Sequence, residues 1–415
     1  MILLHGRIVV PIDAPEINDG AVVVDGPLIV GCGPHQQIRK QFPGVDEINL
    51  TDCLLLPGLI NAHTHLELSH LKGLVSYQGN FVDWVTRLIA ARLETTKPLD
   101  NILNSACAEL FRAGVTTVAD ICYEHRAWPY LKGLGLRKIC FAEVFGLTDK
   151  LEAQTEYLRR TLAETETDDL LRLGLSPHAP YSAGGELYQL AARLAGSNNA
   201  TGGSRVALTT HLAETPEEIE FLTTGGGVWR EFLQRINRWD GSFKCPKQRP
   251  VEYFLSLELQ EQSFLLAHVN YINDAEIIAL GRRRHSVVFC PRSHNFFGHP
   301  AHRFGDMLAA GINVCLGTDS LASNNTLSIL DEMRFVHQQY PNFSTDILIK
   351  MGTINGAVAL GWEDKIGSIT SGKEADLVAI PLTGNHDNAL ANILKSKTQP
   401  KLTMVAGKIV HQITT

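Results

Sequence analysis

The feature that most restricts the fold is an alternation between two kinds of segment. From residue 56 to 362, short apolar runs rich in β-branched residues recur between stretches with helical spacing. The runs lie at 59–65, 114–120, 138–144, 173–176, 206–211, 264–268, 286–290 and 313–319. Runs of this kind read as strands buried on both faces, and the helical stretches between them supply the crossovers that a parallel sheet needs. Eight such units predict an α/β chain whose body is a (β/α)8 barrel over 56–362. The two ends have a different texture. Residues 1–55 and 363–415 are short β-rich segments joined by turn signals, among them Asp25-Gly26 and the segments 366–369, 375–380 and 403–410. They predict one small β-sandwich domain assembled from both termini.

Composition narrows the function. The chain of 415 residues is 44% apolar and 20% charged, with a net charge of -7. That gives no basic footprint for nucleic acid or an anionic membrane. No run approaches the roughly 18 apolar residues of a membrane span, and the N-terminus has no signal-like apolar core, so a cytoplasmic location is expected. The eight cysteines are scattered without a C-x-x-C pair and read as reduced, buried thiols. H-x-E followed by P-C-x-x-C is also missing, which excludes the cytidine-deaminase type of zinc site.

Polar residues stand at the C-terminal ends of the apolar runs, where barrels of this kind carry their active sites. His63 and His65, two apart on one strand, project to the same side and form a ready pair of nitrogen ligands. His211 with Glu214, then His268, then Asp319 follow three further runs. A histidine or aspartate straight after buried strand residues is costly to desolvate unless it has a partner. Three neutral imidazoles and a carboxylate could hold one divalent ion with a position left for water, whose pKa such an ion lowers to about 7. Glu214 could then protonate a ring nitrogen, and Asp319 could carry the water's proton to departing ammonia.

The order PGLINAHTHLE, THLAE, a strand-end histidine, GTDS-x-ASNN, NGAVALG and IGSITSGKEADLV resembles the amidohydrolase superfamily. It is most similar to the aminohydrolase branch of adenosine-type, cytosine and guanine deaminases and triazine hydrolases. The resemblance implies one metal ion, zinc or alternatively iron(II), held by His63, His65, His211 and Asp319. It implies that Glu214 moves protons and that His268 positions the water or the reacting group. Ser176-Pro177-His178 stands where a two-metal relative has a lysine, so a two-metal site is not expected. The substrate is then a small molecule, and a homodimer is compatible with the resemblance.

The segment 175–182 resembles the one by which adenosine-type members contact the sugar, with His178 as the contact. In 81–89, Val82, Val85, Leu88 and Ile89 share a helical face expected to be core, which leaves Trp84 to face the pocket. In 290–299, Arg292 could pair with a substrate carboxylate, with His294 and Phe296 as further contacts. With NAHTHLELS and FVDWV, this looks like the aminodeoxyfutalosine deaminases, which convert an adenine-like base to hypoxanthine. Methylthioadenosine, adenosylhomocysteine or adenosine is the next choice, and guanine, pterin and triazine substrates, a C–Cl hydrolase and a metal-free binding module stand behind it. The stretch 223–250 is too long for an ordinary connection, and a helix of its own over the strand ends, acting as pocket wall or lid, is expected.

Overall fold

The computed structural model describes residues 1–123, 127–147, 151–200, 206–239, 241–259, 262–383 and 388–413. Four strands come first: β1 (Ile2–Val9), β2 (Ile17–Asp25), β3 (Leu28–Pro34) and β4 (Asp46–Pro57). Eight follow: β5 (Leu59–Thr64), β6 (Val115–Tyr123), β7 (Arg137–Val144), β8 (Leu171–Pro177), β9 (Ala207–Leu212), β10 (Leu265–His268), β11 (Ser286–Phe289) and β12 (Asn313–Leu316). Three close the chain: β13 (Leu377–Pro381), β14 (Leu402–Val405) and β15 (Lys408–Gln412).

Strands β5 to β12 pair in sequence order, all parallel, with helices between them. The ring closes between first and last. The amides of Thr318 and Asp319 both donate to the His63 carbonyl at 3.1 and 3.0 Å, and the Asn61 side chain bonds Thr318 from both its ends. Gly317 is needed at this seam, because a Cβ there would sit 2.9 Å from the His63 carbonyl oxygen. All eight runs expected as barrel strands are strands.

The seven remaining strands form one mixed sheet in the order β15-β14-β13-β4-β1-β2-β3. It bends over on itself until the turns near its two ends meet. The β2–β3 turn at Gly26 lies against the β14–β15 turn, where only a glycine fits at 407 (φ 75°), since a Cβ would overlap the Gly26 carbonyl. Leu4, Val22, Val24, Leu50, Leu55, Leu377 and Met404 fill the space between the halves. Chain termini and barrel are joined by the fully buried Arg137, which grips Asp376 through two nitrogens at 3.0 Å each and Glu374 at 2.6 Å. One expected terminal strand is absent. Residues 366–369 form a turn whose isoleucines are buried against Trp362 and Pro11 contacts, so apolarity there reports packing without a strand partner.

Candidate active site

Four residues at the C-terminal ends of the barrel strands hold left-handed backbone although none is glycine: Ala213 (φ 51°), His268 (φ 73°), Val269 (φ 51°) and Asp319 (φ 58°). Such strain persists where the surroundings enforce it, and here it throws polar side chains inward. His63, His65, His211 and His268 face one another with ring centroids 4.9–5.5 Å apart. Asp319 Oδ1 lies 3.9 Å from His63 Nε2 and 3.6 Å from His65 Nε2.

These donors fit a metal ion. His211 Nδ1 donates to the His178 carbonyl at 3.0 Å, which leaves the lone pair of Nε2 aimed at the centre. That nitrogen is 3.4 Å from His65 Nε2, and both nitrogens of the buried His63 find no hydrogen-bond partner among the described residues. Buried ring nitrogens converging in this way, with Asp319 beside them, are a donor set suited to a cation. Burial, together with the neighbouring imidazoles, holds His63 well below the ordinary histidine value, and burial brings His65 to about 4. All are thus neutral, as ligands must be. Burial alone would raise Asp319. His268 and His65, with hydroxyls of Ser293 (2.7 Å) and Ser323 (2.9 Å) donating to Oδ2, outweigh it and keep the carboxylate ionised.

Glu214 behaves oppositely. Burial first, then the charges of Asp319, Glu218 and Glu217, push its carboxyl well above the usual range, and His268 Nε2 lies 3.6 Å away. His268 is brought to about 3 mainly by burial, and its carbonyl accepts from His302 at 2.8 Å. The centre therefore holds two carboxyl groups whose surroundings push their pKa values in opposite directions, a division suited to moving protons.

The amidohydrolase family model matches residues 54–410. The chain belongs to the amidohydrolase family. A curated relative, the 5-methylthioadenosine/S-adenosylhomocysteine deaminase of Syntrophobacter fumaroxidans, is 26% identical over 403 residues, covering 93% of this chain and 85% of that one. Among solved structures, a zinc-bound adenosine deaminase from Xanthomonas campestris is similar with a TM-score of 0.84 at 25% identity, over 99% and 93% of the two chains. Helicobacter pylori aminofutalosine deaminase with methylthio-coformycin superposes with a TM-score of 0.86 at 24% identity, over 99% and 100%, and shares the fold.

In this amidohydrolase a cavity of about 1020 Å³ opens above the donors. His65, His211, Glu214, His268 and Asp319 line it, and so do His178 and Trp84. Val82 is buried in the core as expected, whereas Val85, Leu88 and Ile89 of the same helical face line the cavity. Within 223–250, the helix Gly227–Arg235 contributes Trp229, Phe232 and Leu233 to the wall, with Trp229 stacked on Tyr181 at 4.0 Å; Asp240 lies outside the described residues.

The segment 290–299 departs from expectation. Arg292 lies off the cavity, its guanidinium 2.6 Å from Asn325 and facing Glu332, because the buried Glu332 draws it away from the barrel mouth. His294 packs among Phe289, His299 and His302. Phe296 stands behind Trp84 and Tyr77. None of the three reaches the cavity; Ser293, between two of them, is the residue that touches the centre. Sequence reasoning also missed Glu67, Arg92, Glu143, Arg160 and Arg238, all of which line the cavity.

Proposed function

We propose that the protein is a metal-dependent hydrolytic deaminase that converts an adenine-type nucleoside to its hypoxanthine form and releases ammonia. The observation that carries this is the convergence of Glu214 and Asp319 on a ring of four histidines at the strand ends, with Glu214 3.6 Å from His268 and Asp319 3.6 Å from His65. An aromatic C–NH2 carbon is a poor electrophile until the neighbouring ring nitrogen gains a proton. Glu214 is placed to give that proton, and His268, 3.6 Å from it, orients the reacting carbon. Asp319 Oδ1 takes the proton that water loses and returns it to the departing amino group. His63, His65, His211 and Asp319 would hold the ion, which when bound acidifies water so that a nucleophile exists at neutral pH. Imidazole donors suit zinc, with iron(II) as the alternative.

The substrate read here is aminodeoxyfutalosine, with methylthioadenosine, adenosylhomocysteine or adenosine as the second choice. The cavity supports an extended nucleoside: its volume far exceeds an adenosine and its wall is aromatic. A substrate carboxylate would meet Arg160 and Arg238, exposed residues of the cavity lining, in place of Arg292. Eight free thiols fit a reducing, cytoplasmic setting, and among the described residues no helix is long and apolar enough to cross a membrane.

The test is ammonia release by metal-loaded protein from adenosine, methylthioadenosine, adenosylhomocysteine, aminodeoxyfutalosine, guanine and cytosine. Turnover of adenine nucleosides is expected, fastest for the carboxylate-bearing one. Silence across the panel despite bound metal would overturn the reading.

A further inference from the structure

The cavity carries a second group of polar side chains beside the donor ring, three of them contributed by the neighbouring strands β6 to β8. Glu67 follows β5, Tyr123 ends β6, Glu143 lies next to the end of β7 and His178 follows β8. Within this group Glu67 is engaged: Arg92 grips its carboxylate at 3.0 Å and lies over the Tyr123 ring, and the Tyr123 amide donates to the same oxygen at 3.3 Å. Glu143 is different. Its side chain is 8% exposed, it lines the cavity, and its Oε1 has no hydrogen-bond partner among the described residues. The nearest ionisable nitrogen is His178 Nε2 at 4.0 Å, a ring held in place through Nδ1 by Ser182 at 2.5 Å.

A buried carboxyl oxygen without a partner is rare in a folded protein and destabilising unless something fills the gap. Water could do so in the free enzyme, but the position is specific. His178, Glu143 and His211 present their polar atoms within 4.8 Å of one another, so Glu143 stands one residue width from the donor ring. A purine whose amino-bearing carbon sits over the donors directs its sugar away from them, toward the neighbouring strand ends. We propose that Glu143, with His178, reads the vicinal 2′- and 3′-hydroxyls of the nucleoside and so selects ribonucleosides over deoxynucleosides and free bases. A carboxyl group can bond two adjacent hydroxyls through its two oxygens, and the His178 imidazole supplies a further polar atom beside it. Closure of a site built to bond a hydroxyl penalises the analogue that lacks it, because the buried group is then left unpaired. The inference rests on the nucleoside deaminase reading above and adds to it the residue that defines the sugar.

The experiment compares kcat/KM of the metal-loaded enzyme for adenosine, 2′-deoxyadenosine and 3′-deoxyadenosine, in the wild type, Glu143→Gln and Glu143→Ala. Wild type is expected to favour adenosine tenfold or more over at least one deoxynucleoside. Both variants should lose most of that preference through a higher KM for adenosine, with an unchanged content of metal per chain. Equal kcat/KM for all three nucleosides in the wild type overturns the proposal without any variant, as does a preference that survives in both variants. Loss of metal in Glu143→Gln would make Glu143 a ligand and overturn it too. Failure of wild type to release ammonia from these three and from every other adenine nucleoside of the panel above, with metal bound, overturns the nucleoside reading itself and this inference with it.

Discussion

Replacing Ser293 with alanine tests whether Asp319 must be aimed as well as ionised. Asp319 Oδ2 accepts from Ser293 at 2.7 Å and from Ser323 at 2.9 Å, while Oδ1 accepts the Ser320 amide at 2.7 Å and faces the imidazoles. A hydrogen bond to a charged group contributes about 1.5–3 kcal/mol. Ser323 survives in the variant and keeps its bond, so the low end applies, about 1.5–2 kcal/mol, which corresponds to about a ten- to thirtyfold fall in kcat/KM. In the double variant Ser293→Ala/Ser323→Ala the Oδ2 edge loses both donors. The deficit should then exceed the product of the single effects, because each hydroxyl partly covers for the other. The assay is steady-state ammonia release with the best nucleoside found, alongside metal content per chain, which should stay at the wild-type value in the single variant. A double variant within twofold of wild type in kcat/KM would refute the reasoning, since Asp319 would then need neither hydroxyl.

Three further outcomes are expected. Glu214→Gln should retain its metal yet lose about 10²–10⁴ in kcat, the contribution of a placed proton donor; metal analysis and turnover together check it, and loss of the ion would reassign Glu214 as a ligand. Dialysis against a chelator should abolish ammonia release, and adding back zinc should restore it while raising the melting temperature, by about 2.7–4.1 kcal/mol of linkage at 100 to 1,000 times Kd; activity that survives removal of the metal would sink the donor-ring reading. Arg137→Met should destabilise the fold by about 3–5 kcal/mol in urea unfolding, because it leaves Asp376 and Glu374 without their buried cation. Burial raises the Glu374 carboxyl, but Arg137 and then Lys365 outweigh it and hold its folded value below the unfolded one. Its stabilisation is therefore present above the ordinary glutamate pKa and lost as pH falls through the lowered value, so the acid limb of stability should be shallower in the variant.

What the sequence disclosed follows from what periodicity measures. Each barrel strand was legible because burial on both faces leaves an unbroken apolar run, and each donor was legible because it interrupts such a run at one end. Periodicity reports that a face is covered and is silent about what covers it. Val85, Leu88 and Ile89 therefore read as core although they line the cavity. Ser293 was hidden for a geometric reason. It lies on the short helix Pro291–Phe296, where neighbouring side chains diverge by about 100°. Only one of three consecutive residues can point at Asp319, and the conspicuous Arg292 and His294 are turned elsewhere by Glu332 and by His302. Glu143 was hidden because it continues β7 without a break, a polar residue between Ala142 and Val144 that no spacing rule marks.

The same features that made the donors visible set the energetics of the site. Four left-handed residues, buried imidazoles crowded together and a carboxyl group raised by burial are each unfavourable by themselves. They are tolerated because the surrounding barrel is closed by hydrogen bonds that run through the donor residues. The His63 carbonyl accepts the Thr318 and Asp319 amides, the Leu212 carbonyl next to His211 accepts the Val269 amide at 2.9 Å, and the His178 carbonyl accepts both the His211 amide and its ring. Strand pairing and donor placement are thus one set of bonds. A change that loosens the seam between β5 and β12 is a change in where His63 and Asp319 point, and the chemistry is held by the same contacts that close the fold.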